Sequence, residues 1–72
     1  MPDDARTRSE WIATFAARLG VEAPSDEEVE VILDLAGVAA HGSERTAAPL
    51  ACWLAGRVGV PLTDVLDVAR DV

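Results

Sequence analysis

Residues 39–50, AAHGSERTAAPL, separate two apolar helical patterns and contain the only histidine of the chain. Gly42 lies where the first of these patterns stops. Pro49 restricts the start of the next helix, because proline is tolerated in a first helical turn, where backbone N–H groups lack partners, and not deeper. The sequence therefore predicts one helix that ends near residue 40 and another that begins near residue 47.

Two further helix starts carry the capping-box pattern, in which a hydroxyl residue is followed three positions later by glutamate. The first box pairs Thr7 with Glu10, and the second pairs Ser25 with Glu28. Acidic residues crowd the first turn of the second helix, where they match the positive end of the helix dipole. These pairs predict helices that begin near residues 8 and 26.

The apolar residues in all four segments recur at helical spacing, and no alternation typical of β-strands competes with them. Gly20 and Gly59 provide natural helix ends. The chain is short enough to form one domain over residues 1–72, with a frayed lead at residues 1–6. We expect an all-α fold, a compact bundle of four short helices at about 8–19, 26–40, 47–58 and 62–71.

The helical periodicity also predicts which side chains form the core. In the third helix the predicted stripe contains Leu50, Trp53, Leu54, Arg57 and Val58. Trp11 lies in the corresponding stripe of the first helix, so both tryptophans are interpreted as core residues. The alternative is that Trp11 and Trp53 are exposed anchors in a protein interface, where tryptophan is enriched.

The composition excludes several classes of protein. The 72-residue chain carries thirteen acidic residues, six Arg and no Lys, which gives a net charge of −7. Such a chain repels nucleic acid and anionic membranes. No apolar run reaches the roughly 20 residues of a membrane span, and the acidic start MPDD is unlike the basic start of a signal peptide.

Cys52 is the only cysteine of the chain, so no intramolecular disulfide is expected. A single unpaired cysteine suits a reducing compartment. Because Cys52 lies on an apolar helix, it is interpreted as a small buried hydrophobe and not as a reactive thiol. We therefore expect a cytoplasmic protein.

The polar residues His41, Glu44, Arg45 and Thr46 are the candidate binding residues, because ending one helix and starting the next does not account for all of them. His41 lies at the end of the second helix. Arg45 and the backbone N–H groups of residues 47–48 could hold an anion, such as a phosphate or the carboxylate of a partner. This arrangement would form a small polar site at the junction of two helices.

A purely structural role for the same residues is the alternative. In that interpretation Arg45 pairs with an acid, either Glu44 or Asp34, and His41 forms a hydrogen bond with a carbonyl. The connection between the two helices would then be locked and would not be a binding site. The sequence leaves both interpretations open.

Catalytic and metal-binding motifs are not found in the sequence. One His and one Cys are too few for a structural zinc site, and no cofactor is expected. Ser43 lies two residues from His41 in a turn, which is not the geometry of a catalytic triad. The sequence therefore does not predict an enzyme.

Residues 51–70 resemble a helix-turn-helix in one respect. Ala55, Gly59 and Val65 have the small–glycine–apolar spacing that packs two helices around a tight turn. A recognition helix presents polar and basic side chains to DNA, whereas the fourth helix offers Thr63, Asp64 and Asp67, with Arg70 as its only cation. DNA binding is therefore a less favoured alternative.

A longer pattern resembles a family of small helical domains of unknown function. It runs from Ile32-Leu33-Asp34-Leu35-Ala36 through Ala40-His41, Glu44-Arg45 and Ala47-Ala48-Pro49-Leu50 to Leu54-Ala55-Gly56. Trp11 and Leu19-Gly20 are similar to the first helix of that family, so the likeness covers roughly residues 10–58. Thr46 stands where the family often has proline, and Trp53 stands where it usually has phenylalanine.

The family resembled here occurs alone and is also attached to, or encoded near, molybdenum-cofactor guanylyltransferase-like nucleotidyltransferases. The resemblance implies a helical fold and a partner of that class. It implies no chemistry, because the nucleotidyltransferase activity belongs to a separate Gly-rich domain. We expect a non-catalytic accessory or protein-interaction domain. A small anion- or nucleotide-binding module is the alternative, and a homodimer is compatible with so small a core.

Overall fold

The computed structural model describes residues 7–72, and within them the chain forms four α-helices and no β-strand. The helices are α1 (Arg8–Leu19), α2 (Asp26–Gly42), α3 (Ala47–Val58) and α4 (Leu62–Arg70). The predicted all-α fold of four short helices is confirmed, and the bounds agree with those predicted to within two residues. The predicted frayed lead, residues 1–6, lies outside the described residues.

Both predicted capping boxes form. The backbone N–H of Glu10 donates to the Thr7 hydroxyl over 3.1 Å, and the Thr7 N–H donates to the Glu10 carboxylate over 3.0 Å. The same reciprocal pair joins Ser25 and Glu28 at the start of α2, over 3.1 and 2.8 Å. Each box satisfies two backbone N–H groups that would otherwise lack a partner.

The helix ends are of two kinds. Gly20 and Gly59 end α1 and α3 with φ angles of 78° and 75°, a left-handed conformation that glycine adopts without steric cost. α2 instead continues two residues beyond its predicted end, so that Gly42 is its last residue and Ser43 follows with φ of −153°. His41 therefore lies inside the last turn of α2.

The core lies where α3 and α4 pack against α2. Leu35 of α2 is 3% exposed and forms the central cluster with Ala55 of α3 and Leu66 of α4. Partly buried residues surround this cluster: Val31, Val38, Ala51, Leu62, Val65 and Ala69. Within residues 7–72, no comparably close packing joins α3 to α4, or α1 to another helix. The fold is therefore centred on α2.

The stripe predicted as the core side of α3 faces away from α2. Leu50, Leu54 and Trp53 are all more than half exposed. The small residues Ala51 and Ala55 face α2 instead, and the separation of two packed helices depends on the size of the side chains between them. Small side chains therefore decide which side of α3 is buried, and the prediction that Trp53 is a core residue is wrong.

The interpretation of Trp11 as a core residue is also wrong. Trp11 is 52% exposed, and Phe15 and Leu19 on the same side of α1 are similarly open to solvent. The Trp11 and Phe15 rings contact each other, with centroids 5.1 Å apart. Only Ala16 of α1 is buried, because α1 lies outside the α2–α3–α4 core. The exposure of both tryptophans agrees with the alternative, an interface role.

Candidate functional site

The four predicted binding residues share one short connection but do not form a concave site. His41 lies in the last turn of α2, and Glu44, Arg45 and Thr46 connect α2 to α3. All four residues are exposed. None of them lines the cavities described below.

The backbone at the start of α3 does not provide the predicted anion site. The N–H of Ala47 donates to the Glu44 carbonyl over 2.9 Å, and the N–H of Ala48 donates to the Arg45 carbonyl over 3.2 Å. Pro49 has no N–H to offer. The donors that the anion hypothesis required are already used within the turn, so this part of the hypothesis is wrong.

The predicted structural lock does not form either. Among residues 7–72 the side-chain hydrogen bonds belong to the two capping boxes and to one threonine of α1. Within that range Arg45 pairs with neither Glu44 nor Asp34, and His41 makes no side-chain hydrogen bond, so the predicted lock is wrong. Backbone turns, and not these side chains, set the conformation of the connection.

The concave feature nearest to this connection is a groove between α3 and α4. Two cavities of about 540 and 400 Å³ form it. Both are lined by Leu35, Ala51, Leu54 and Ala69, so they are continuous with each other. We call this feature the α3–α4 groove. It exists because α3 and α4 both pack on α2 and leave a space between them.

The walls of the α3–α4 groove are apolar and open to solvent. Leu50, Leu54 and Val58 line the α3 wall and lie four residues apart, about one helical turn. Val65 and Val68 line the α4 wall. All but Val65 are among the large hydrophobic residues exposed on the protein. The groove therefore offers two apolar walls above a buried floor.

Charged residues mark the rim and one end of the groove. Asp64 lines the groove, and Asp67 and Asp71 follow it along one side of α4 at spacings of three and four residues, which places them in a row. Arg70 lines the other end, beside Ser43. The α4 rim is therefore mainly acidic, and the groove opens next to the α2–α3 connection.

Trp53 extends the apolar surface of α3 beyond the groove. At 3.6 residues per turn, Val58, Leu54, Leu50 and Trp53 occupy adjoining positions around the helix. The guanidinium carbon of Arg57 lies 4.9 Å from the centre of the Trp53 ring, a cation–π contact. The ring remains 61% exposed in spite of this contact. One side of α3 is thus a largely apolar face that carries a single cation, Arg57, between the positions of Trp53 and Leu50.

A further cavity of about 480 Å³ lies between α2, α3 and α4 and shares Leu35 and Ala55 with the groove. Residues 22–24 of the α1–α2 linker line it together with Cys52 and Gly56. Cys52 is partly buried, and desolvation raises the pKa of its thiol. A raised pKa keeps the thiol protonated, which agrees with the interpretation of Cys52 as a small apolar side chain.

Metal binding, membrane spanning and DNA binding were also considered from the sequence. Within residues 7–72, no group of three or more His, Cys, Asp or Glu side chains is arranged to hold a metal ion. In the same residues, no helix combines the length and the apolar content needed to cross a bilayer. The exposed aspartates of α4 would face the phosphates of any DNA bound to that helix.

Sequence reasoning missed the groove, although the sequence contains a signal for it. Leu50, Leu54 and Val58 form one four-residue series on α3, and Ala51 and Ala55 belong to a second series beside it. A helix with two adjacent apolar sides carries more apolar surface than one neighbouring helix covers. The two series therefore indicate that one side of α3 is left without a neighbouring helix, but they do not indicate which side packs.

The geometry thus defines a small all-helical domain with an exposed apolar groove. The family described as a domain of unknown function (DUF6457) matches residues 3–58, and this chain belongs to that family. The match agrees with the predicted resemblance to a family of domains of unknown function. It ends with the last residue of α3, so α4, which supplies one wall of the groove, lies beyond the matched residues. Comparison with curated proteins and with solved structures gave no match.

Proposed function

We propose that this chain is a non-catalytic protein-interaction domain that holds an amphipathic helix of a partner in the α3–α4 groove. The observation that carries the proposal is the exposure of both apolar walls of the groove. Monomeric soluble proteins rarely expose contiguous apolar patches larger than a few hundred Å², and larger patches mark interaction sites.

The groove has the length and the lining that a bound helix needs. α3 has 12 residues and therefore spans about 18 Å, or roughly three helical turns. Leu50, Leu54 and Val58 would contact apolar residues one turn apart on the ligand, which is the pattern of helix-in-groove recognition. Burial of these side chains would contribute about 25 cal/mol for each Å² removed from water, against the entropic cost of association.

The partner that we propose to test first is a nucleotidyltransferase of the molybdenum-cofactor guanylyltransferase class, because the sequence resemblance implies it. The motif that carries this resemblance includes Leu50 and Leu54, and both residues are groove walls. The residues typical of the family would then also be those that recognise the partner. A reducing, cytoplasmic setting is part of the proposal, because Cys52 is the only cysteine.

Calorimetric titration of the purified nucleotidyltransferase from the same organism tests this proposal. Leu54→Asp places a charge on the groove wall, and we expect it to lower the affinity at least about thirtyfold, as for an interface hot spot. Leu33→Asp is the matched control, because Leu33 is also exposed but lies outside the groove. No binding by the wild-type chain, or an equal loss in both variants, would contradict the proposal.

A further inference from the structure

α1 presents a second unpartnered apolar face. Trp11, Phe15 and Leu19 lie at spacings of four residues on one side of the helix, and all three are about half exposed. Ile12 adjoins them and is partly buried. The chain therefore carries both an amphipathic helix with an open apolar side and an apolar groove with the length to accept one.

We propose that the α3–α4 groove is occupied by α1 of a second copy of this chain, in a reciprocal homodimer in which each copy supplies one helix and one groove. This inference rests on the proposed function, because it uses the same groove as a docking site for a helix. The two contacts would be related by a twofold axis, which makes the interface self-complementary.

Charge complementarity favours this occupant. α1 carries Arg8 and Arg18 against one acid, Glu10, so it combines a net positive charge with an exposed apolar side. α3 also has a net positive charge, but it forms a wall of the groove itself. By helical position, Arg18 lies beside Trp11 at the edge of the apolar side. Arg8 precedes Trp11 and Ile12 by about one turn, so it lies at the start of that side. The cations thus border the surface that would enter the groove.

The groove offers opposite charges at its rim. Asp64, Asp67 and Asp71 form a row along α4 that spans about 10 Å, and Arg8 and Arg18 are about 15 Å apart along α1. A helix lying along the groove would therefore bring its arginines within reach of the acidic row. α2 carries five acids, so its own exposed surface would be repelled from the same rim.

α1 does not occupy the groove of its own chain. Its residues Trp11, Phe15 and Leu19 are about half exposed, and no close packing joins α1 to α3 or α4 among the described residues. Residues 22–24 of the linker line the cavity beside Cys52 and Gly56 and not the groove.

The surface available is sufficient for a specific dimer. Aromatic side chains bury on the order of 150–250 Å² each, and Trp11 and Phe15 are about half exposed before docking. Each α1 would then bury roughly 300 Å² of its own apolar side chains and a similar area of the groove. Two such contacts amount to roughly 1,200 Å², the lower end of the range of about 1,200–2,000 Å² for specific interfaces.

Sedimentation of the full-length chain over a range of concentrations provides the first test. We expect a monomer–dimer equilibrium for the wild type and a monomer for Leu54→Asp and for Phe15→Gln. Leu33→Asp and Ala13→Gln are the matched controls, because both residues are exposed and lie away from the proposed contacts, and they should dimerise as the wild type does. Circular dichroism establishes that each variant is folded.

Mixing the two monomeric variants provides the sharper test. Leu54→Asp retains an intact α1, and Phe15→Gln retains an intact groove, so their mixture regains one of the two contacts. We expect the mixture to form a heterodimer that neither variant forms alone, with weaker affinity than the wild type. Packing of groove on groove would leave Phe15→Gln dimeric by itself, and packing of α1 on α1 would leave Leu54→Asp dimeric by itself. Either result, or a mixture that stays monomeric, would overturn the proposal.

Fluorescence identifies the element that moves into the groove. Trp53→Phe leaves Trp11 as the only tryptophan, and transfer of its ring from solvent into an apolar groove should shift its emission to shorter wavelength as the concentration rises. A dimer without this shift would contradict docking of α1.

The failure of this inference is distinguishable from failure of the proposed function. A wild-type chain that stays monomeric at high micromolar concentration overturns the second copy as occupant, even where Leu54→Asp abolishes binding of the nucleotidyltransferase. A reciprocal dimer that does not bind that enzyme supports the inference and overturns the enzyme as partner.

Discussion

α3 has two apolar sides, of which one is buried and the other is exposed. The side that contains Ala51 and Ala55 packs on α2 and is largely buried, whereas the side that contains Leu50 and Leu54 remains open to solvent. The larger side chains would release more free energy on burial, yet the smaller ones face the core. The difference teaches that close approach of two helices, and not hydrophobicity alone, selects the packed side of a helix in this domain.

The largest expected effect is the loss of stability when Leu35, the α2 side chain in contact with the packed side of α3, is truncated. Leu35→Ala removes the most deeply buried side chain of the central cluster, and a substitution of this kind destabilises by about 2–5 kcal/mol. Urea unfolding measures the change. Leu54→Ala, measured at low micromolar concentration, should change the free energy of unfolding by about 0.5 kcal/mol or less, because its side chain is exposed. Similar losses in both variants would abolish the distinction between the two sides.

Overpacking of the same contact is the second test. Ala55→Leu inserts a larger side chain between α2 and α3, and we expect it to destabilise the domain by about 1–3 kcal/mol in thermal or urea unfolding. Ala13→Leu on the exposed side of α1 is the control and should be nearly neutral. A stable, unperturbed Ala55→Leu variant would mean that α3 does not approach α2 closely at this position.

The two capping boxes allow a second comparison, between the central helix α2 and the helix α1, which lies outside the core. Ser25→Ala removes a cap from the central helix and should lower the global free energy of unfolding by about 1 kcal/mol. Thr7→Ala removes the equivalent cap from α1. Because α1 lies outside the core, this variant should lose helical signal with little change in the unfolding midpoint. Equal shifts of the midpoint would place α1 in the cooperative core.

The smallest effect is the pH dependence that Cys52 contributes from the packed side of α3. Burial raises its pKa above the ordinary value of 9.0 in the folded chain. The folded state therefore holds the thiol proton more tightly than the unfolded state does. The resulting stabilisation is present below pH 9.0 and is lost as the pH rises through the folded pKa.

Urea unfolding at increasing alkaline pH, compared between the wild type and Cys52→Ala, measures this contribution. The free energy of unfolding of the wild type should fall more steeply with pH than that of the variant. Leu54→Cys in the Cys52→Ala background provides the contrast, because a thiol on the exposed wall should not add this dependence. A steeper fall for the variant than for the wild type would contradict the burial of Cys52.

The sequence predicted the helices closely because their signals are local. Thr7 with Glu10, Ser25 with Glu28, and Gly20 each act within a few residues of the helix end that they determine. Pro49 likewise placed the start of α3 correctly, since its restriction concerns one helical turn. Local chemistry of this kind is readable without knowledge of the tertiary contacts.

The groove and the exposure of Trp53 could not be predicted in the same way, because both depend on which side of α3 meets α2. The helical spacing of the apolar residues was read correctly, but such spacing does not distinguish the side of a helix that packs within the domain from a side that stays exposed. The predicted site failed for a related reason. Ala47 and Ala48 donate within a turn that the sequence did not reveal, and Arg45 forms no ion pair among residues 7–72.

A dilution series monitored by backbone amide NMR tests the central claim most directly, namely that the open side of α3 is a docking face for α1 of a second copy. The account predicts concentration-dependent shifts of the amides of Leu50, Leu54 and Val58, of the α4 wall and of the apolar side of α1, with the first turns of α2 unchanged. Amides of α3 and α1 that stay constant over the whole series, or shifts confined to the α2–α3 connection at His41–Thr46, would contradict it.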